Sequence, residues 1–110
     1  MSEDSDYRIR GGSQNDQVVE ADKPKTKQPP LYKVVVVNDD FTPMEFVVQV
    51  LQQFFHHTRE SAVQIMLHVH TKGRGVAGIY PAEIAETKTA QANAFARENQ
   101  HPLLTVLEKT

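Results

Sequence analysis

Hydrophobic and polar positions divide the 110-residue chain near residue 30. Before it, Ser, Asp, Glu, Gln, Asn and Lys dominate, and large apolar residues are few and without period. Pro24, Pro29 and Pro30 close the stretch. A segment of this kind buries too little surface to offset its ordering entropy, so residues 1–30 are expected to form a disordered extension. From Leu31 the pattern changes. "LYKVVVV" is short and β-branched, which predicts a strand. It is apolar on both faces from Val34 onward, as a central strand under helices would be. "FTPMEF" then predicts a helix start. Thr42 and Glu45 have capping-box spacing, Pro43 suits the first helical position, and Phe41 and Phe46 have the spacing of a hydrophobic staple. Val47, Val50, Leu51 and Phe54 recur on one face of that helix, which is expected to end near His56 and His57. Thr58 predicts the cap of a second helix, with Ala62, Ile65, Met66 and Val69 at helical spacing and Gly73 and Gly75 as its stop. "GVAGIY" reads as a strand. Pro81 opens a third helix with Ile84, Ala85, Ala92, Phe95 and Ala96 inward, "NQHP" breaks it, and "LLTVLE" is a last strand. The order β-α-α-β-α-β over residues 31–110 predicts one α+β domain with helices packed on one face of a sheet.

Composition narrows the function classes. Net charge is −2, with 39% hydrophobic and 24% charged residues, the balance of a soluble globular protein without the basic excess of a nucleic-acid binder. Cysteine is absent, which removes disulfides, thiol chemistry and cysteine-built zinc sites. No apolar run is long enough to span a bilayer. "MSEDSDYRIR" is acidic and lacks the apolar core of a secretory signal or the acid-poor character of a transit peptide. A cytoplasmic protein is expected, with neither membrane nor nucleic acid as partner.

The chemistry concentrates at Asn38, Asp39 and Asp40, between the first strand and the first helix. Asn and Asp favour turns, so a solvated connection is one reading. The other is a cation-binding corner, because two carboxylates and an amide oxygen offer acceptors to an ammonium with three donors. A hard metal would also take oxygen ligands, but calcium needs about 6–8 of them and no further acids cluster nearby in sequence. Acid–base catalysis by an Asp and a His has no accompanying nucleophile motif or phosphate loop. His68 and His70 lie about 200° apart on a helix, so they do not share a ligand there, and no HExxH motif occurs. His70 follows Met66 by one turn, either as a polar rim residue or projecting over a pocket beside the acids. Met44 and Met66 are core filler or the flexible lining of an apolar hollow. An acidic corner beside such a hollow would suit a polypeptide start with a free amine and a large apolar side chain.

"VVVVNDDFTPMEFV", "QIMLHVH", "AEIAETK" and "ENQHPLLTVLEK" together resemble ClpS, the adaptor family of the ClpAP protease, from about Leu31 to the C-terminus. The resemblance implies a non-catalytic adaptor without a cofactor, in which three helices pack against a three-stranded antiparallel sheet. It implies recognition of N-degron substrates, proteins beginning with Leu, Phe, Tyr or Trp, and their delivery to the ClpA unfoldase through its N-terminal domain. The family's amine-binding residues fall on Asn38, Asp39, Asp40 and His70. Its pocket-lining residues fall on Val36, Thr42, Met44, Val47, Met66, Val69 and Leu103, with Met44 as the gate against β-branched termini. Its ClpA-contacting surface falls on Glu83 and Lys88, and its flexible extension engages the unfoldase. Pro81 departs from the family, where a hydroxyl residue often starts this helix. The alternatives are a metal-dependent hydrolase using Asp39, Asp40 and His70, and a plain interaction module that docks through its third helix.

Overall fold

The strand Leu31–Val37 (β1) runs up the middle of the molecule and organises everything else. A computed structural model describes residues 29–110; the expected disorder of the extension falls outside the described residues for positions 1–28. After β1 come the helices Met44–Phe55 (α1) and Arg59–Lys72 (α2), the strand Arg74–Pro81 (β2), the helix Ala82–Glu98 (α3) and the strand Leu104–Lys109 (β3). β1 pairs antiparallel with β2 on one side and with β3 on the other. The sheet is three-stranded, and the order β-α-α-β-α-β is the one that periodicity predicted.

The β-branched run of β1 earns its central place by burial. Val34, Val35 and Val36 are all within 2% of complete burial. Val34 and Val36 join the helix-facing core with Val48, Val50 and Leu51 from α1, Ala62 and Met66 from α2, and Ala85, Ala92 and Ala96 from α3. The alanine stripe of α3 lets that helix lie close, and its Phe95 ring stacks on Phe46 of α1 at 5.4 Å between centroids. The β1–β2 register slips between Val34 and Val35, so Ala77 is skipped. The Ala77 carbonyl instead meets His57 Nε2 at 2.6 Å. A carbonyl only accepts, so Nε2 carries the proton and Nδ1 accepts from the Ser61 hydroxyl at 3.2 Å.

The helix ends show where local rules hold. Thr58 caps α2, its hydroxyl oxygen accepting from the Ser61 N–H at 3.1 Å. Gly73 ends α2 at φ 93, a left-handed conformation that glycine adopts without a Cβ clash. His56 ends α1 at φ 60, as the His56-His57 boundary predicted. The start of α1 corrects the sequence reading. Helical residues begin at Met44, Pro43 takes the cap position, and no side chain caps the helix. Glu45 pairs with Arg59 at 2.8 Å, not with a Thr42 amide, so the capping box does not form. The staple fails too: Phe41 is 79% exposed, while Phe46 is held by Phe95 and His101. Pro81 likewise precedes α3 without a side-chain cap. Ile84 is a further correction. It lies exposed because Ala85, one residue and about 100° further round, faces the core.

Candidate functional site

The acidic turn, the first residues of α1 and the last turns of α2 meet around a cavity of about 230 Å³. Asn38, Asp39, Asp40, Thr42 and His70 give it polar lining, and Met44, Val47, Met66 and Val69 give it apolar lining. Two segments some thirty residues apart therefore build one hollow. Topology explains the meeting, because β1 delivers the turn at its C-terminal end and α2 ends beside it. The Asn38 N–H donates to the Gly73 carbonyl at 2.9 Å and ties the two segments together. Val47, Met66 and Val69 are buried, whereas Met44 is 46% exposed at the edge of the hollow. A flexible thioether in that position can yield to one side chain and obstruct another.

Asp39 organises the turn. Its Oδ1 accepts from the Phe41 N–H at 2.8 Å and from the Thr42 N–H at 2.7 Å, and its Oδ2 accepts from the Thr42 hydroxyl at 2.8 Å. Partial burial by itself would raise the Asp39 carboxyl. The Thr42 amide, the Phe41 amide and the Thr42 hydroxyl outweigh it, with the charge of His101 acting in the same direction, and hold the group below the ordinary Asp value. Thr42 itself lies one residue before the Pro43 cap position, and its hydroxyl donates to Asp39. Among the described residues, the side chains of Asn38, Asp40 and His70 have no hydrogen-bond partner. Asp40 borders the cavity as an acceptor, and the Asn38 amide and the His70 imidazole border it with both donor and acceptor capacity.

The structure brings together nine of the residues singled out from the sequence and separates four. Val36 and Leu103 are sealed in the core, at 0% and 2% exposure, and neither borders the cavity. Glu83 lies exposed in the first turn of α3, away from the hollow. Lys88 is half-buried, donates to the Phe54 carbonyl at 2.9 Å and stands 5.3 Å from the Tyr80 ring centroid. Burial also pushes the Tyr80 hydroxyl above its ordinary range. The sequence reading missed His101, which packs edge-on against Phe46 at 4.4 Å and adds to the field at Asp39. Its only sequence signal was its place in the breaker "NQHP".

Among the described residues, no group of three His, Cys, Asp or Glu side chains is arranged to hold a metal ion, which leaves the hydrolase alternative without a ligand set. A second depression of about 340 Å³ lies between α2 and β2, lined by Ser61, Gln64, Ile65, His68, Gly75 and Val76, and it has no carboxylate. Among the described residues, no helix is long and apolar enough to cross a membrane.

The family model of the ATP-dependent Clp protease adaptor protein ClpS matches residues 27–106. The chain belongs to the ClpS family. The ClpS adapter of Methylococcus capsulatus is 54% identical over 109 residues, covering 99% of each chain. That of Xanthomonas oryzae pv. oryzae is 60% identical over 92 residues, covering 84% of this chain and 87% of the relative. Among solved structures, Agrobacterium tumefaciens ClpS2 bound to L-phenylalaninamide superposes with a TM-score of 0.74 at 36% identity, covering 76% of this chain and all of that one. The family is one of adaptors of a Clp protease, so this chain is an adaptor and not an enzyme.

Proposed function

We propose that this ClpS chain binds proteins through a bulky hydrophobic N-terminal residue, Leu, Phe, Tyr or Trp, and hands them to the ClpA unfoldase of the ClpAP protease in the cytoplasm. One observation carries the reading: a single cavity joins polar side chains, two carboxylates among them, to an apolar hollow. The two halves suit the two parts of a polypeptide start. An α-amine with a pKa of about 7.7–8.0 is largely protonated at neutral pH and brings three donors to a corner rich in acceptors. The first side chain would enter between Met44, Val47, Met66 and Val69. L-Phenylalaninamide, the molecule bound to the Agrobacterium relative, combines a free α-amine with an aromatic side chain, which supports this pairing. Met44, exposed at the edge, would gate entry against β-branched Ile and Val. Delivery would use the exposed Glu83 and the start of α3, with Lys88 alongside.

The test is a titration with peptides that begin with Phe and differ only in the amine, paired with ClpAP degradation of a reporter carrying the same start. Each charge-assisted hydrogen bond is worth about 1.5–3 kcal/mol, so acetylating the amine should weaken binding by at least about tenfold and slow degradation in parallel. In the same titration Met44→Ala should admit peptides beginning with Ile or Val. Equal affinity for free and acetylated peptides would sink the proposal.

A further inference from the structure

Adjacent acids at a cation-binding corner invite the assumption that both touch the cation, but the hydrogen bonds divide their labour. A carboxylate offers about four acceptor positions, and three of those on Asp39 are already occupied by its own turn. Asp40, next in sequence and on the same cavity, has none occupied by a described residue. We infer that Asp39 is a positioning residue: its carboxyl oxygens face its own turn and fold it to Thr42, and the bound amine is met by neighbouring groups. The inference rests on the proposed reading of the cavity as an amine pocket.

Two physical points support it. The turn is complete without a ligand, since all three hydrogen bonds lie within residues 39–42, and a corner already in its binding shape loses little freedom when it binds. The Asp39 carboxyl also stays ionised below its ordinary range through these bonds, so it does not depend on an incoming ammonium to stabilise its charge. A direct partner would need its charge for the ligand. A positioning residue needs only the shape of its acceptor.

The Asp39→Asn variant separates these roles. An amide oxygen at Oδ1 still accepts from the Phe41 and Thr42 N–H groups, and the Thr42 hydroxyl turns to accept from the new amide. Titration of a Phe-starting peptide against wild type, Asp39→Asn, Asp39→Ala and Asp40→Asn, each across pH 6–9 and with the acetylated peptide as control, reads the outcome. Positioning predicts Asp39→Asn within about threefold of wild type with an unchanged pH profile, and Asp39→Ala weaker by at least about tenfold. Equal losses for Asn and Ala at position 39 would overturn the inference, leaving the amine pocket itself intact. If Asp39→Ala does not fold, the two Asn variants decide: a larger loss at Asp40 than at Asp39 supports positioning, and the reverse order overturns it. A wild-type chain that ignores acetylation would instead remove the amine reading on which the inference stands.

Discussion

Two threonines stand at the starts of two neighbouring helices, and the molecule uses them differently. Thr58 accepts the Ser61 N–H and caps α2, as its sequence position predicts. Thr42 precedes Pro43 and has a Glu three residues on, a stronger capping signature, yet its hydroxyl donates to Asp39 and α1 starts uncapped. The α2 start lies away from the cavity and obeys the local rule. The α1 start borders the cavity and breaks it. Departures from local preference gather where a surface must be shaped for something other than stability, and the contrast between these threonines is an instance.

The largest effect should come from below both helix starts. Leu51 is fully buried, and Leu51→Ala should cost about 2–5 kcal/mol in a denaturant titration by removing core that α1 and α2 share. Next, the threonines should dissociate. Thr58→Ala should lose about 1 kcal/mol of stability with peptide affinity unchanged, whereas Thr42→Ala should weaken peptide binding more than it weakens the fold. Losses of the same kind at both positions would erase the contrast.

A smaller effect lies in acid. Asp39 has a folded value below its ordinary 3.8, so between the two values the unfolded chain binds more protons. Its contribution is complete above 3.8 and declines as pH falls through the folded value. Urea midpoints measured at neutral pH and near pH 3 should therefore differ less in Asp39→Asn than in wild type. The smallest effect is expected at Glu45. Its carboxyl is held below the ordinary range by the hydrogen bond and charge of Arg59, but the pair is exposed, so Glu45→Ala should leave the melting temperature unmoved. A clear drop would show that Glu45 supports the α1 start after all.

The same contrast marks how far the sequence is legible. Element order, the central place of β1, the Thr58 cap and the Gly73 stop all follow from periodicity and turn chemistry, which act over a few residues. The failures have partners that those rules do not see. Phe46 is paired with Phe95 and His101, about fifty residues on, so the staple to Phe41 gives way. The bond from Lys88 to the Phe54 carbonyl, where α1 ends, likewise spans too much sequence for periodicity to show. The acidic corner was visible as a candidate. The unequal roles of its acids were not, because Asp39 and Asp40 differ only in what the turn does with them.

Gly73 places the mutual alignment of Asn38 and His70 under the control of a torsion angle. Its carbonyl receives the Asn38 amide, its φ is 93, and a methyl group added there would meet nothing within 4 Å. A side chain at this joint would strain the main chain without crowding any neighbour. A substitution at residue 73 would thus shift Asn38 against His70 while the walls of the hollow keep their composition.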